Sequence, residues 1–272
     1  MRALVGQVRA REVQSYATAM IHDAGHGYDP FGLQAGAVTR ALALSAPLYD
    51  RYFRVSSHGA HHIPPSGPAI LAANHSGMLP LDGAMVYADV IRHTDPPRVP
   101  RPIADLFVAR LPFLGTFFTR VGVVAGTRAN VRQLLRGGEL LLCFPEGTPG
   151  IAKPFRERYH VTGWRVGHAE LALRHRAPIV PVAVVGAAEQ WITLGKLPLH
   201  PFGAPFLPVP LNVVPLPVHY HIHYGEPIAL HHRFAPESAD DPETIRECAR
   251  IVRDAVAALI DEGLASRPGI FR

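Results

Sequence analysis

The chain is poor in cysteine, poor in charge and free of long apolar runs, and each shortage removes a class of protein. Two cysteines, Cys143 and Cys248, in 272 residues cannot staple a framework. A disulfide scaffold is therefore excluded, and a reducing cytoplasm is the expected compartment. Cys143 lies in an apolar run and reads as a small core residue rather than a nucleophile. No unbroken apolar segment approaches the ~20 residues that a spanning helix needs. Residues 1–24 carry Arg2, Arg9 and Arg11 but no continuous apolar stretch or cleavage site, so no signal peptide is read there. Charged residues make up only 18%. Their Lys and Arg are scattered, without aromatic interleaving or a nucleic-acid motif, so nucleic acid is not an expected partner. No internal repeat or low-complexity tract is present.

What remains is greasy and basic. Hydrophobic residues reach 48%, mean hydropathy is +0.10, and a formal charge of +5 with a pI near 9.5 favours anionic surfaces. The combination predicts a peripheral protein on the cytoplasmic face of the cell membrane. The length fits one α/β domain over 55–272, preceded at 1–54 by a helical segment able to associate with a membrane.

Residues 1–22 and 33–52 show helical spacing. The run Ala69-Ile70-Leu71-Ala72-Ala73 reads as a buried strand, and 81–93 as the helix after it, opened by Pro80. A strand and a helix broken by Pro112 and Gly115 follow over 103–120, then a strand at 122–128 and a helix at 130–136. Residues 139–144 are near-continuously apolar, as in parallel strands covered on both faces. A helix is expected over 163–174, strands at 178–186 and 219–224, and a final helix from Asp241 to a closing Gly263. Trp191 to Val218 is rich in Leu, Val and Phe, and its seven prolines bar a spanning helix. It reads as a shallow membrane-dipping loop or acyl-chain wall, with a Pro-rich lid on the core as the alternative. Alternating strands and helices predict a mostly parallel sheet flanked by helices, with the loops after the strands converging on one rim.

Three of those loops carry chemistry: His75 with Asp82, Gly122 with Arg128, and Glu146 with Gly147. A neutral imidazole has a pKa close to operating pH, so His75 can take a hydroxyl proton, and Asp82 can orient the ring and stabilise the imidazolium. Arg128 can hold a phosphate through its planar fork. For each there is a plainer reading: Asp82 as a residue that favours a helix start, Arg128 as a solvated cation, Glu146 as an acceptor of backbone N–H groups.

In order along the chain, Asn74-His75 with Asp82, Gly122 with Arg128, Phe144-Pro145-Glu146-Gly147-Thr148, and Ala177-Pro178-Ile179-Val180-Pro181-Val182 resemble the four blocks of the glycerolipid acyltransferases. The nearest branches are the lysophosphatidic acid acyltransferases and the bacterial monoacylglycerol/diacylglycerol-acyltransferase-like proteins. The resemblance implies O-acyl transfer from acyl-CoA or acyl-carrier protein to a lysolipid or acylglycerol acceptor at the membrane surface. It implies no cofactor and no metal, with His75 as base and Asp82 as its partner. Gly122, Arg128, Glu146, Gly147 and Thr148 would hold the acceptor phosphate. Two departures stand out. The family's first block usually has four residues between His and Asp, whereas here Ser76 to Leu81 make six. Thr148 is followed by Pro149 where the family often has Arg, so acceptor phosphate binding is expected to be weaker or absent, or to be supplied by Lys153, Arg156 and Arg158 as contacts to donor or lipid phosphates.

Two rival readings go with the chain. The histidines at 219, 221 and 223 share a strand face, which admits a metal-dependent hydrolase, but without a nearby carboxylate or cysteine they read as a partly exposed polar face. A non-catalytic lipid-surface binder of the same fold is the other.

Overall fold

The computed structural model describes residues 23, 25–77, 79–151, 153–200 and 203–272. The helix expected over 1–22 lies outside the described residues. The short apolar runs become strands because each is covered on both faces. Central among them is β2 (Ala69–Ala73), buried at every position. It lies between β5 (Leu140–Cys143) and β6 (Ile179–Val185), parallel to both. On one side the sheet continues through β3 (Arg101–Ala104) to β4 (Val124–Ala125), again parallel. On the other, β9 (His221–Tyr224) runs antiparallel to β6, and β1 (Ser56–His58) closes the edge parallel to β9. The expected mostly parallel sheet is present, with seven strands.

Side-chain alternation divides each strand between two cores. Leu71, Ala73, Leu142 and Val182 face α1 (Ala35–Pro47), its π-helical extension Leu48–Tyr52, and α2 (Leu81–His93). Ile70, Ala72, Leu141 and Ile179 face α4 (Arg128–Arg136), α6 (Gly167–His175) and α7 (Pro242–Ser266). Two short helices, α3 (Leu114–Arg120) and α5 (Thr148–Ile151), also lie among the described residues. Truncating a fully buried leucine such as Leu142 to Ala should cost about 2–5 kcal/mol.

Three boundaries differ from the sequence reading. Gly115 does not break its helix but lies within α3, where a Cβ would come 2.5 Å from the Ala109 carbonyl oxygen. Gly263 does not end α7. Asp241 caps the helix by accepting the N–H groups of Glu243 and Thr244, and the helix runs on to Ser266 because Gly263 is needed for close packing, 2.8 Å being all that would separate its Cβ from Val185. Helix α6 begins at Gly167 rather than 163, because the Arg165 N–H is held by the Pro145 carbonyl of the loop after β5.

The proline-rich segment folds as a hairpin, β7 (Thr193–Leu197) with β8 (Leu207–Pro210), separate from the main sheet. Its Leu194, Leu211, Val213 and Val214 are exposed.

Candidate active site

Asn74 ends β2 by imitating the ladder it leaves. Its side chain accepts from the Val184 N–H at 2.7 Å and donates to the Val184 carbonyl at 3.2 Å, pinning the turn to β6. His75 follows, and its Nδ1 lies 2.6 Å from Asp82 Oδ2. The same carboxylate accepts the N–H groups of Ser76 at 2.9 Å and Gly83 at 2.7 Å. Six intervening residues therefore do not prevent the pair: the longer loop folds over, and Asp82 enters from the first turn of α2, where the helix dipole favours a negative charge. Asp82 is fully buried, and the His75 side chain is 18% exposed. With Nδ1–H engaged, the ring is fixed as the tautomer whose Nε2 carries the lone pair. Phe144 stacks on the imidazole with ring centroids 4.3 Å apart and fixes its tilt.

Glu146 is fully buried and acts on the histidine through the backbone. One oxygen accepts the His75 N–H at 3.0 Å; the other accepts Lys153 Nζ at 2.6 Å and the Thr162 N–H at 3.3 Å. Gly150 permits this close approach, since a Cβ there would lie 2.9 Å from the Glu146 Cβ and 3.2 Å from the His75 Cβ. The plainer expectation for Glu146, an acceptor of backbone N–H groups, describes its contacts. Gly147 takes a left-handed conformation, φ +60°, with the Arg165 guanidinium packed over it. Thr148 opens the one-turn α5 directly behind it.

The cations expected to meet phosphate are distributed differently. Arg128 starts α4 on the same rim but pairs with Glu170 at 2.7 Å. Lys153 is consumed by Glu146, and Arg158 by Glu189 at 3.4 Å. Arg156 is exposed on the loop. Gly122 is a correction: it precedes β4 and so sits at the opposite end of the sheet from His75. Its φ of +96° lets the chain turn against the buried Arg101, which pairs with Asp29 at 2.6 Å. Sequence reasoning missed Arg165, which is 56% exposed at the rim and contacts Asp105 at 3.2 Å. Nothing in its own segment, Gly163-Trp164-Arg165, signals this; the hydrogen bond to Pro145 does.

Along the rim beyond β5, a cavity of about 170 Å³ opens at the ends of β3 and β4, lined mostly by apolar side chains such as Phe31, Val108, Phe118 and Val124. The histidines of β9 also depart from expectation. His221 and His223 are buried rather than part of an exposed polar face, because α7 covers that side of the strand. Burial holds His221 down to about 4 and lowers His223 and His219 as well.

Comparisons with known proteins bear on the family and the fold. A family model described as Acyltransferase matches residues 54–185. An uncharacterized protein of Mycobacterium tuberculosis is 33% identical over 99% of this chain and 75% of its own length. A human protein described as a DGAT1/2-independent enzyme synthesizing storage lipids is 30% identical over 75% of this chain and 60% of its own. The crystal structure of the 1-acyl-sn-glycerophosphate (LPA) acyltransferase PlsC from Thermotoga maritima superposes with a TM-score of 0.58 at 17% identity, covering 99% of this chain and 100% of that one. The two share the fold.

Proposed function

The chain belongs to the acyltransferase family, and from that premise we propose that it moves a fatty acyl group from acyl-CoA or acyl-carrier protein to a lipid hydroxyl at the cytoplasmic membrane surface. The observation that carries the reading is the His75–Asp82 pair at the strand end, with Nε2 left over for substrate. The acceptor O–H gives its proton to Nε2 as its oxygen attacks the thioester carbonyl. The new C–O bond forms, the C–S bond breaks, and the imidazolium returns the proton to the departing thiolate. Asp82 stabilises the imidazolium in between. No covalent acyl-enzyme is required, because a thioester already has a good leaving group.

Three of the four cations expected to bind phosphate are occupied by Glu170, Glu146 and Glu189. This favours an acylglycerol over a lysophospholipid as acceptor, with the exposed Arg156 on the loop the cation of this group left for the phosphates of the donor. The apolar cavity at the ends of β3 and β4 is the seat we assign to the acyl chain.

Membrane docking follows from exposed apolar groups. Among the described residues no helix is long and apolar enough to cross a membrane. The hairpin presents Leu194, Leu211 and Val213, and the segment before α3 presents Phe113, 94% exposed at a strained φ of +59°. Gly203 of the hairpin lies against Phe107 and Arg110, so the two patches adjoin. A bulky apolar side chain held in water at the cost of backbone strain supports a surface that meets lipid.

The test is acyl transfer by the purified chain from radiolabelled acyl-CoA to monoacylglycerol, diacylglycerol or lysophosphatidate in vesicles. Product with the intact chain and none with His75→Ala supports the reading. Equal turnover by both would sink it.

A further inference from the structure

On the side of the sheet away from Asp82, strands β1 and β9 bring together a second group of histidines. His58 is the direct register partner of His223, and His221 shares the same face two residues earlier. We propose that His58, His221 and His223 bind a divalent transition-metal ion of the zinc class, at a site separate from His75.

Their ligand nitrogens all lie within 4.8 Å of one another. Tetrahedral zinc at roughly 2.0–2.1 Å from imidazole nitrogen needs a spacing of about 3.3 Å, so binding an ion requires the three rings to draw together. The rings of His58 and His223 are stacked face to face, with 4.4 Å between centroids, so the two imidazoles occupy one place on the sheet.

The second observation is a shortage of partners. His221 and His223 are 8% and 6% exposed, and the Nε2 of each is buried with no hydrogen bond. Buried polar atoms are paired as a rule, and two orphaned imidazole nitrogens at one place call for a ligand. The neighbour His219 is already engaged, its Nε2 2.9 Å from Ser56 Oγ while its ring stacks on His221.

Helix α7 packs over the cluster at Gly263, whose missing side chain lets the helix backbone come close to His223. A Cβ there would stand 2.9 Å from His223 Nε2. Among the described residues no carboxylate or cysteine joins the three, so the fourth position belongs to water, reached from the His58 side. Three neutral nitrogen donors select zinc, cobalt or nickel over magnesium or calcium, which prefer oxygen. Bound there, the ion would clamp β1, a strand of only three residues, to β9.

The experiment uses the full chain stripped with chelator and titrated with Co²⁺ alone, read by visible absorbance, and with Zn²⁺ alone, read by calorimetry and thermal melting. One ion per chain and a Zn²⁺-dependent rise in Tm are expected. His58→Ala, an exposed change checked by circular dichroism, should weaken binding at least tenfold and abolish the rise; His58→Cys, which restores a ligand, should recover it. His75→Ala should bind as the intact chain does. No stoichiometric ion on the intact chain, or equal affinity in His58→Ala, would overturn the site whatever the outcome for acyl transfer.

Discussion

Helix α2 carries two fully buried carboxylates two turns apart, and they are used in opposite ways. Asp82 holds one imidazole and two backbone N–H groups, and the imidazole it holds has a nitrogen to spare. Asp89 is a closed hub. It accepts the hydroxyls of Tyr49, of Ser57 at 2.8 Å and of Tyr224 at 2.7 Å, with His93 Nδ1 at 3.2 Å. Burial, reinforced by Asp89, pushes the phenols of Tyr49 and Tyr224 well above their usual range, so both remain hydroxyl donors. The hub ties α2 to β1, β9 and the turn after α1. Burial and hydrogen bonding by themselves therefore do not tell a candidate catalytic carboxylate from a structural one.

The comparison breaks most sharply at the histidine. His75→Ala should lower kcat for acyl transfer at least 10³-fold, within the range a general base contributes, while leaving the melting temperature near that of the intact chain. Asp82→Asn should follow at roughly 10²–10³-fold, because the amide no longer fixes the tautomer; steady-state kinetics beside thermal melting would show activity lost and fold kept. Asp89→Ala should do the reverse. Stranding the buried hydroxyls of Tyr49, Ser57 and Tyr224 should cost about 3 kcal/mol in urea unfolding, with kcat per folded molecule changed less than twofold. If Asp89→Ala instead abolishes turnover in folded protein, the division between the two carboxylates is wrong.

Smaller effects come from outside the helix. Leu211→Asp with Val213→Asp should weaken vesicle co-sedimentation by roughly tenfold, in line with the loss of two apolar side chains from a lipid contact, and leave transfer to detergent-dispersed acceptor intact. Part of the acid sensitivity should trace to His168, which burial holds at about 4 against an ordinary 6.5. The unfolded chain takes up a proton there that the folded chain refuses. Its stabilising contribution is complete above pH 6.5 and falls by roughly 1 kcal/mol per pH unit on the way down to 4. His168→Phe should flatten that slope in denaturation series.

Much of this was legible beforehand. The run at 69–73 is too apolar and too short to be anything but a covered strand, and the helix at 81–93 has the observed limits. His75 and Asp82 were readable because a base and its partner need to be near each other in sequence here. Gly122 misled because a glycine motif does not say which end of a strand it occupies. The ion pairs of Arg128 and Lys153 were not legible because their partners, Glu170 and Glu146, come from other elements. Arg165 was invisible for the same reason.

The sequence by itself determined the central strands, the long helices and the candidate base, since periodicity, apolar runs and the spacing of a local pair are properties of contiguous chain. Only the tertiary structure decided which charges remain free at the rim, where Glu146 spends its two oxygens, and that His58 meets His221 and His223. Those outcomes depend on residues far apart in the chain competing for the same partner, and that competition is settled by packing the sheet.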